Sequence, residues 1–390
     1  MSRKIVIFAP FLTHPTISGP GTRLLNSASC LKQNGYDLHY AYLDLQGNPS
    51  EAMVEFWSGQ ITPFAYNHPS IHGSKAQRNR FRFRKWLPDG NYALKQNARL
   101  DDWFDLSIEN QWKVYLSKIQ PDTLICHYVW LSKVLEWTPP GIRTIIDTHD
   151  RFSNRFEVAK KAKRLNDWYS TSPKEELRGL QRADCVIGIS EGDHLFLQQT
   201  LGLHSVYHPP FTPIQKFNTT KESNLLFIGN KNASNVRAVE WFLENCWERL
   251  KEAIPNVQLF LVGNVCEAIK SHEGITKLGR VDDLSDAYSR CKISINPVPS
   301  GSGIAIKCLE SLSYGLPVVA TPEGARGLDD LGDDVVFKTS NPLEFTNRII
   351  DLMTGPDKLE KSSATCSKKL QEWNALSQRN LLKAITPEEQ

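Results

Sequence analysis

The sequence predicts an α/β protein of two domains, each built on a mostly parallel β-sheet. The chain opens with a continuous apolar run at residues 4–10, which is typical of a strand buried on both faces. Strands and helices then alternate, and the alternation begins again at residue 225. The stretch between the two series, residues 205–223, is rich in Pro, Thr and Ser and predicts a linker. The length of 390 residues is enough for two such domains.

The composition is that of a soluble globular protein. Apolar residues make up 40% of the chain and charged residues 23%, and the net charge of +3 does not indicate a polyanionic partner. The eight cysteines form no CxxC pair, so we expect buried thiols in a reducing compartment. The N-terminus is typical of a first strand rather than a signal peptide, and no apolar run approaches the ~20 residues of a membrane span. We therefore expect a cytoplasmic protein.

The first series predicts a Rossmann-like domain over residues 1–208. A Gly-rich loop at Gly19, Pro20 and Gly21 precedes its first helix, but the spacing does not match the GxGxxG fingerprint of a dinucleotide site. The predicted strands are 4–10, 38–43, 122–128, 143–147 and 185–189. The predicted helices are 22–33, 101–118, 131–137 and 175–182.

Basic and aromatic residues alternate in one segment of this half, from Lys75 to Trp86. Such a mixture suits an anionic membrane surface or an anionic acceptor. It is also typical of a solvated loop whose aromatic side chains hold it to the domain. Nucleic acid binding is the weakest of the three interpretations, and we do not expect a nucleic acid partner.

The second series predicts another Rossmann-like domain, over residues 224–367, after a linker at 209–223. The predicted strands are 225–228, 257–262 and 275–278, with two more starting at residues 293 and 318, and a long helix is predicted at 235–253. A polar helical stretch follows from residue 360. Its end, about residues 368–390, is a candidate to pack back on the first domain.

One stretch, residues 296–321, combines a strand end, a tight glycine turn and a helix. The turn is Gly301-Ser302-Gly303, and the helix carries Lys307 and Glu310. Free backbone N–H groups and a positive helix end then lie at the carboxyl edge of a sheet, where a diphosphate can bind. An ordinary βαβ crossover without a ligand has the same pattern, so both interpretations stay open. A Walker A motif is excluded because neither Gly precedes nor Ser or Thr follows Lys307.

This stretch resembles the donor motif of retaining glycosyltransferases with the GT-B fold, in the group 1 (GT4-like) family. The likeness rests on GSGIAIKCLE at 301–310 and GLPVVAT at 315–321. It extends over most of the chain through segments that match in order and spacing: Gly19 to Gly21, HYVWLS at 127–132, Ala183-Asp184 with Ser190-Glu191, Phe227 to Gly229 with Asn235, Leu261 to Gly263, and Gly279 to Val281. The resemblance implies two Rossmann-like domains facing across a cleft, the first for an acceptor and the second for a sugar nucleotide.

The resemblance assigns the donor to the second domain. Lys307 and the N–H groups of the glycine turn would stabilise the charge of a departing nucleoside diphosphate, and Glu310 would accept from the ribose hydroxyls. The alternative to this role of Glu310 is a surface ion pair between Lys307 and Glu310. The donor-binding set is Gly229, Arg280, Val281, Ser302, Gly303, Ile304, Lys307 and Glu310. Enzymes of this kind generally need no metal, so we expect neither a metal nor a cofactor.

The resemblance also assigns residues of the first domain. His127 would face the sugar and help to hold the transition state, although a His at a strand end is often only a structural hydrogen-bond partner. His127, Lys307 and Glu310 form the predicted catalytic set. The acceptor and phosphate loop is assigned to Gly19, Gly21, Thr22 and Asp150. The sequence Asp147-Thr-His-Asp150 could also suggest a metal site, which is the weaker interpretation; the alternative is that Asp150 or His149 lines the acceptor side.

The chain departs from the family pattern in the second domain. Ser302 stands where the family usually has a Glu that contacts the donor sugar, and Ala305 stands where related sequences often have a Lys. The basic residue that commonly follows the first strand of this domain is not clearly placed, with Lys231 and Arg237 as candidates.

Together these observations predict a retaining, metal-independent hexosyl-type glycosyltransferase. Its substrates would be a nucleoside-diphosphate sugar and a glycan or lipid-linked acceptor, in polysaccharide, lipopolysaccharide or glycolipid assembly. The alternative is a degenerate GT-B protein that binds partners without catalysis, and the presence of Ser302 in place of the usual Glu supports it. Contact between the segment Lys75 to Trp86 and the inner face of a membrane is a further expectation left open.

Overall fold

Over the residues that it describes, the computed structural model contains two parallel β-sheets, of seven and six strands, each in its own unit. It describes residues 3–15, 19–45, 47–67, 99–161, 169–215, 222, 224–281, 283–299 and 303–386. The first unit comprises Met1–Pro209 and Ser377–Gln390, and the second comprises Pro210–Leu376. The basic segment from Lys75 to Trp86, together with Gly301 and Ser302, lies outside the described residues. The prediction of a two-domain α/β fold is confirmed.

The strands of the first unit all run parallel and follow the doubly wound order. They are β1 (Lys4–Ala9), β2 (Asp37–Asp44), β3 (Ile61–Ala65), β4 (Thr123–His127), β5 (Arg143–Asp147), β6 (Cys185–Gly188) and β7 (Ser205–Tyr207). Their order is β3-β2-β1-β4-β5-β6-β7, so the direction of winding reverses between β1 and β4.

Helices cover both faces of this sheet, which explains the continuous apolar character of β1. Val6 and Phe8 pack in one core cluster, whereas Ile5 and Ile7 pack in another. The α-helices are α1 (Gly19–Gln33), α2 (Glu51–Phe56), α3 (Glu109–Ile119), α4 (Arg155–Lys161), α5 (Pro173–Leu180) and α6 (Glu191–Leu195). 3-10 helices span Leu100–Trp103, Leu106–Ile108 and Val129–Trp137, and a short π-helix spans Phe196–Thr200.

Two local predictions in this unit are wrong. Gly19 and Gly21 were expected in a loop, but they lie in the first turn of α1. Pro20 suits that turn because the first N–H groups of a helix have no intrahelical partner to lose. Residues 205–207 were expected in the linker, but they form β7, which pairs with β6. A strand of three residues is too short for an alternating pattern to show.

The second unit repeats the same winding order with six parallel strands. They are β8 (Asn224–Ile228), β9 (Gln258–Val262), β10 (Ile275–Gly279), β11 (Ile293–Asn296), β12 (Val318–Ala320) and β13 (Val336–Lys338). Their order is β10-β9-β8-β11-β12-β13, so the reversal lies between β8 and β11.

The helices of the second unit pack on both faces of its sheet. Leu225 and Phe227 of β8 share a cluster with Phe242 and Phe345, whereas Leu226 packs on the opposite side in another cluster. The α-helices are α7 (Ala233–Phe242), α8 (Glu248–Ala253), α9 (Ser285–Ser289), α10 (Ile306–Ser313), α11 (Pro342–Thr354) and α12 (Pro356–Ile385). A π turn at Leu243–Trp247 joins α7 to α8, and 3-10 helices span Asn264–Glu267 and Asp329–Leu331.

Two expectations drawn from composition can be compared with the structure. All eight cysteines are free and buried, as predicted. Across the part of the chain that the structure describes, no helix combines the length and apolar character needed to cross a membrane.

Candidate functional site

Of the predicted donor residues that the structure describes, Gly229, Gly303, Ile304 and Lys307 lie on the segments that follow β8 and β11. The winding of the sheet reverses between these strands, which is where doubly wound folds bind ligands. Gly229 follows β8 directly and leads to α7, while the glycine turn follows β11 and leads to α10. Residues 72 positions apart in the sequence therefore meet at one edge of the sheet.

Lys307 lies in the first turn of α10, which follows β11, and its side chain contacts α7, which follows the neighbouring strand β8. Its Nζ donates a hydrogen bond to Oδ1 of the buried Asn235 at 2.7 Å, and it lies 5.1 Å from the centre of the Phe227 ring. Burial lowers the pKa of Lys307 to about 8, and the neighbouring Cys308 thiol opposes this only in part. The site thus holds a largely buried amine between two neutral partners.

Two glycines make room for this arrangement. A Cβ atom on Gly229 would lie 3.0 Å from the amide of Asn235 and 3.0 Å from the Phe227 ring. A Cβ atom on Gly263, which has a φ of +94°, would lie 2.4 Å from the carbonyl oxygen of Gly229. Gly229 was predicted as a donor-binding residue, and the structure shows that its lack of a side chain is also required for packing.

The glycine turn is described only from Gly303 onward. Gly303 has a φ of 72°, a left-handed conformation that favours glycine. Ile304 is half-buried and packs against the cluster that contains Cys308 and Leu309. The backbone N–H of Ala305 donates to the carbonyl oxygen of Arg326 at 3.0 Å, which fixes the approach to α10.

Glu310 faces away from the lysine toward a tyrosine pair. Burial raises the pKa of Glu310, and the adjacent Tyr288 hydroxyl opposes this effect. The Tyr288 ring stacks on Tyr314 with centroids 4.2 Å apart. Among the residues that the structure describes, no ion pair joins Lys307 to Glu310. The alternative interpretation, a Lys307–Glu310 surface pair, is therefore wrong: the Lys307 amine donates to Asn235, and the Glu310 carboxyl lies near the Tyr288 hydroxyl.

Arg280 and Val281 follow β10 beside the same cluster. Val281 packs at the edge of the cluster that contains Tyr288, so it lies on the Glu310 side of the site. Arg280 is exposed. The assignment of these two residues to a nucleotide base stays a prediction.

In the first unit, a buried histidine pair lies at the carboxyl ends of β4 and β5. His127 ends β4 and is the register partner of Asp147, the last residue of β5. The Nδ1 atom of His127 lies 2.7 Å from Nε2 of His149, and both residues are buried. His149 has a φ of 56°, and its ring stacks on Tyr128 at 4.5 Å. Burial lowers the pKa of both imidazoles, so one neutral ring donates to the other.

An ion pair lies beside these rings. Arg23 of α1 donates from Nε to Oδ2 of Asp147 at 3.1 Å and from Nη2 to Oδ1 at 3.4 Å. It also donates to the carbonyl oxygen of His208 at 2.8 Å. Burial alone would raise the pKa of Asp147, but the Arg23 guanidinium and then the nearby imidazoles hold it well below its usual range. Asp147 is therefore ionised and neutralised within the fold.

The arrangement of His127, Asp147 and His149 can be compared with that of a metal site. Their ligand atoms lie within 4.8 Å of one another. Adjacent nitrogen ligands of a tetrahedral zinc ion lie about 3.3 Å apart, however, given Zn–N bonds of about 2.0–2.1 Å. The 2.7 Å between the two imidazoles is a hydrogen-bond distance, and both oxygens of Asp147 accept from Arg23. The geometry is that of a hydrogen-bonded network.

The residues assigned to the acceptor loop lie near this network only in part. Gly21 is buried in α1, two positions before Arg23 of the ion pair, while Thr22 points outward and is exposed. Gly19 begins α1. Asp150 follows His149 and lies 3.4 Å from Nη1 of Arg155. Their role toward an acceptor stays a prediction.

A cavity of about 620 Å³ in this unit lies at the opposite edge of the sheet, near the starts of β4 and β5.

Sequence reasoning missed several partners in these two clusters. It did not single out Arg23, it considered Asp147 only as a metal ligand, and it considered His149 as a metal ligand or an acceptor-side residue. Asn235 was noted as part of a motif but without a role. The signal that could have found them was polar residues placed where apolar ones are expected: Arg23 adjoins the buried face of α1, and Asp147 ends an apolar strand.

The chain resembles known proteins in two comparisons of sequence. Residues 222–355 match the family model described as glycosyl transferases group 1. A curated relative, an uncharacterized 44.6 kDa protein in the cps region of Klebsiella pneumoniae, is 23% identical over 141 residues. That match covers 33% of this chain and 36% of the relative.

Solved structures share the fold over nearly the whole chain. A TarM variant from S. aureus, in complex with fondaparinux, alpha-GlcNAc-glycerol and UDP, has a TM-score of 0.66 and 10% identity and covers 98% of both chains. HepE from Anabaena, in complex with UDP and glucose, has a TM-score of 0.60 and 13% identity over 97% of this chain and 98% of its own. The lipopolysaccharide outer core galactosyltransferase WaaB has a TM-score of 0.60 and 12% identity over 98% and 99%.

These comparisons agree with the two-sheet fold described above. At 10–13% identity the structural likeness establishes the fold, while the sequence match is specific to the second unit. The predicted resemblance is confirmed: the chain is a two-domain protein of the GT-B fold, and its residues 222–355 match the family model of the group 1 glycosyl transferases.

Proposed function

We propose that the chain is a retaining glycosyltransferase that moves a sugar from a nucleoside-diphosphate sugar to an acceptor. The observation that carries the proposal is the contact of Lys307 with Asn235, which places the amine of a half-buried lysine at the carboxyl ends of β8 and β11. An amine next to the turn before α10 suits the diphosphate of a departing nucleotide. The group 1 match covers the same residues.

In this proposal the second unit stabilises the leaving group. Lys307 and the backbone N–H groups of Gly303 and Ile304 offset the negative charge that grows on the phosphate. Glu310 accepts from the ribose hydroxyls. The other residues of the donor set border the nucleotide and the sugar: Gly229, Arg280, Val281 and Ser302.

The reaction breaks the bond from the anomeric carbon to the leaving phosphate oxygen and forms a bond from that carbon to the acceptor oxygen on the same face. The acceptor proton passes to the leaving phosphate oxygen, so no separate general base is required. Lys307 and the N–H groups supply the positive charge that a metal would otherwise provide. His127 contributes a neutral imidazole that hydrogen-bonds the sugar.

Solved relatives guide the choice of donor and acceptor. HepE and the TarM variant are each in complex with UDP, and HepE also with glucose, so UDP and UDP-hexoses are the first ligands to test. WaaB is a lipopolysaccharide galactosyltransferase, and the curated relative lies in a cps region. These names support a glycan or lipid-linked acceptor in polysaccharide, lipopolysaccharide or glycolipid assembly.

Thermal unfolding with UDP, GDP and a panel of sugar nucleotides tests donor binding. A ligand present at about 100 times its Kd should add about 2.7 kcal/mol of stability. Lys307→Ala and Glu310→Ala should each lower transfer from the stabilising donor at least tenfold with the fold intact. Lys231→Ala is the control, because Lys231 is exposed and paired with Glu267. Full turnover in both site variants would contradict the assignment.

Ser302 supports a second candidate function, a non-catalytic GT-B protein that binds partners in glycan assembly. The residue stands where the family usually has a sugar-contacting Glu. Titration with UDP and GDP separates the two functions, because a protein that binds neither nucleotide cannot use the donor site.

We also propose that the segment from Lys75 to Trp86 contacts an anionic membrane surface, on the basis of its sequence alone. The test is flotation with liposomes that contain anionic lipid, comparing the wild type with a variant in which Arg80, Arg82 and Arg84 are changed to Glu. Equal flotation of the two proteins would contradict the proposal.

A further inference from the structure

We propose that Asn235 is a positioning residue that holds the Lys307 amine where the diphosphate binds, so that the second unit takes its phosphate-binding cation from α10 and not from the loop after β8. The inference rests on the proposed function, since that function assigns Lys307 to the diphosphate. The contact between Lys307 and Asn235 joins α10 to α7, the helices that follow β11 and β8, and the winding of the sheet reverses between these two strands.

The carboxamide of Asn235 is held at both ends. Its Oδ1 accepts from Lys307, and its Nδ2 donates to the carbonyl oxygen of Asn230 at 2.9 Å. The reversed amide would place its N–H groups against the amine and its oxygen against a carbonyl, so the chemistry fixes the orientation. The backbone N–H of Asn235 also donates to Oδ1 of Asn232 at 2.9 Å, which anchors the first turn of α7. Asn235 is thus a rigid acceptor for the lysine.

Lys231 and Arg237, the two candidates for the basic residue that follows the first strand of this domain, are both exposed. Lys231 lies on the loop after β8, but its Nζ lies 3.2 Å from Glu267 and its side chain is exposed. Arg237 follows Asn235 by two positions, which corresponds to about 200° around a helix, and it is exposed. Lys307 is the basic side chain that Asn235 brings to this edge of the sheet.

The neighbours of Lys307 hold the amine without neutralising its charge. The amide of Asn235 on α7 and the ring of Phe227 on β8 are neutral. On α10 itself, burial raises the pKa of Cys308 to about 11, so the thiol is protonated, and Glu310 is turned toward Tyr288. A bound diphosphate would supply the missing negative charge. Binding should therefore draw a proton onto Lys307 when the free amine is uncharged.

The test measures UDP affinity between pH 7 and 10, above the last phosphate pKa of about 6. In the wild type the affinity should be constant to about pH 8 and then fall about tenfold per pH unit, as one proton is coupled to binding. We call the pH at which the affinity begins to fall the break. Asn235→Asp places a carboxylate against the amine and should move this break upward by one pH unit or more. Asn235→Ala removes the acceptor and should move the break downward and weaken binding at pH 7 about tenfold.

The opposite shifts of the two variants distinguish positioning from a structural role, which would change stability without moving the break in opposite directions. Asn224→Asp is the matched control. Asn224 is a buried asparagine at the other end of the same strand β8, where its Nδ2 donates to Glu222 and to the carbonyl oxygen of Arg290. It should leave the break unchanged. An identical break in the wild type, Asn235→Asp and Asn235→Ala would overturn the inference.

A second readout needs no nucleotide. Reductive methylation with ¹³C-formaldehyde labels the lysines, and comparison with Lys307→Met assigns the resonance of Lys307. Its titration should move upward in Asn235→Asp relative to the wild type. If no nucleotide binds at any pH, the proposed function fails, while this titration still decides whether Asn235 controls the charge of Lys307.

Discussion

The Nδ1 atom of His127 lies 2.7 Å from the Nε2 atom of His149, so a buried imidazole pair joins the end of β4 to the loop after β5. His149 holds this position in a left-handed backbone conformation and stacks on Tyr128. Because both rings are neutral, one of the two facing nitrogens carries a proton and the other accepts it, so the tautomer of His127 is coupled to that of His149. The nitrogen that His127 presents to other groups therefore depends on His149.

The first prediction concerns this dependence. His149→Leu removes the partner of His127 and should lower the turnover of sugar transfer at least tenfold. UDP affinity should change little, because the nucleotide is assigned to the second unit. His149→Gln places an amide near the former Nε2 position and should recover part of the activity. Steady-state kinetics together with UDP titration check the prediction, and full turnover in His149→Leu would contradict it.

The second prediction concerns acid stability. Burial lowers the pKa of His208 to about 3, and the pKa values of His127 and His149 are also lowered. These imidazoles stay neutral in the fold but gain a proton in the unfolded chain below pH 6.5, so the unfolded state binds more protons there. Their stabilising contribution is complete above pH 6.5. It should be lost as the pH falls from 6.5 toward the lowered pKa values.

Urea unfolding between pH 4.5 and 7 measures this loss. His208→Gln should reduce the slope of the unfolding free energy by about 1.4 kcal/mol per pH unit, the value for one proton. A glutamine amide can still donate to the carbonyl oxygen of Ser377, the acceptor of the His208 ring in the wild type. Identical slopes in the two proteins would show that His208 is not buried in its neutral form.

The third prediction concerns the ion pair of Arg23 and Asp147. Arg23→Met leaves a buried carboxylate without its partner and should cost about 3–5 kcal/mol of unfolding free energy. The double variant with Asp147→Leu removes the stranded charge as well and should recover most of that loss. The control is Lys113→Met on α3, whose pair with Glu109 is solvent-exposed and should be worth less than about 1 kcal/mol. Chemical denaturation of the four proteins gives the comparison.

The fourth prediction concerns the glycines beside Asn235. Gly263→Ala places a Cβ atom 2.4 Å from the carbonyl oxygen of Gly229 and strains a left-handed backbone, so it should cost more than about 2 kcal/mol and weaken UDP binding. Gly332→Ala is the control in the same unit: its φ is +78° but no atom lies within 4 Å of the added carbon. That variant should cost about 1–2 kcal/mol, from strain alone, and leave UDP affinity unchanged. Equal effects on UDP binding would contradict the packing argument.

The sequence pattern predicted most of the architecture and little of the hydrogen bonding. The apolar runs that became β1, β5, β8 and β11 were visible because alternation and length are local properties. Two errors were also local. The first turn of α1 looked like a loop because it contains two glycines, and β7 was too short for a pattern to show.

In the candidate site, too, the sequence indicated the residues but not their contacts. Lys307, Glu310 and His127 stand in motifs that resemble those of a known family, and that resemblance singled them out. The partner of each depends on the fold: Lys307 turns to Asn235 and Glu310 to Tyr288, although Lys307 and Glu310 are three residues apart. Spacing along a helix indicated a pair that the packing does not make.

The sequence alone thus determined that the chain has two α/β domains and which glycine turn is the candidate for a diphosphate, because apolar periodicity and glycine turns depend on neighbouring residues. Only the tertiary structure decided that Lys307 contacts Asn235, 72 positions away, and that Arg23 pairs with Asp147, 124 positions away. Each contact crosses between elements that the winding order of a sheet brings to one edge. Burial then lowers the pKa of Lys307, whereas Arg23 lowers the pKa of Asp147 against the effect of burial.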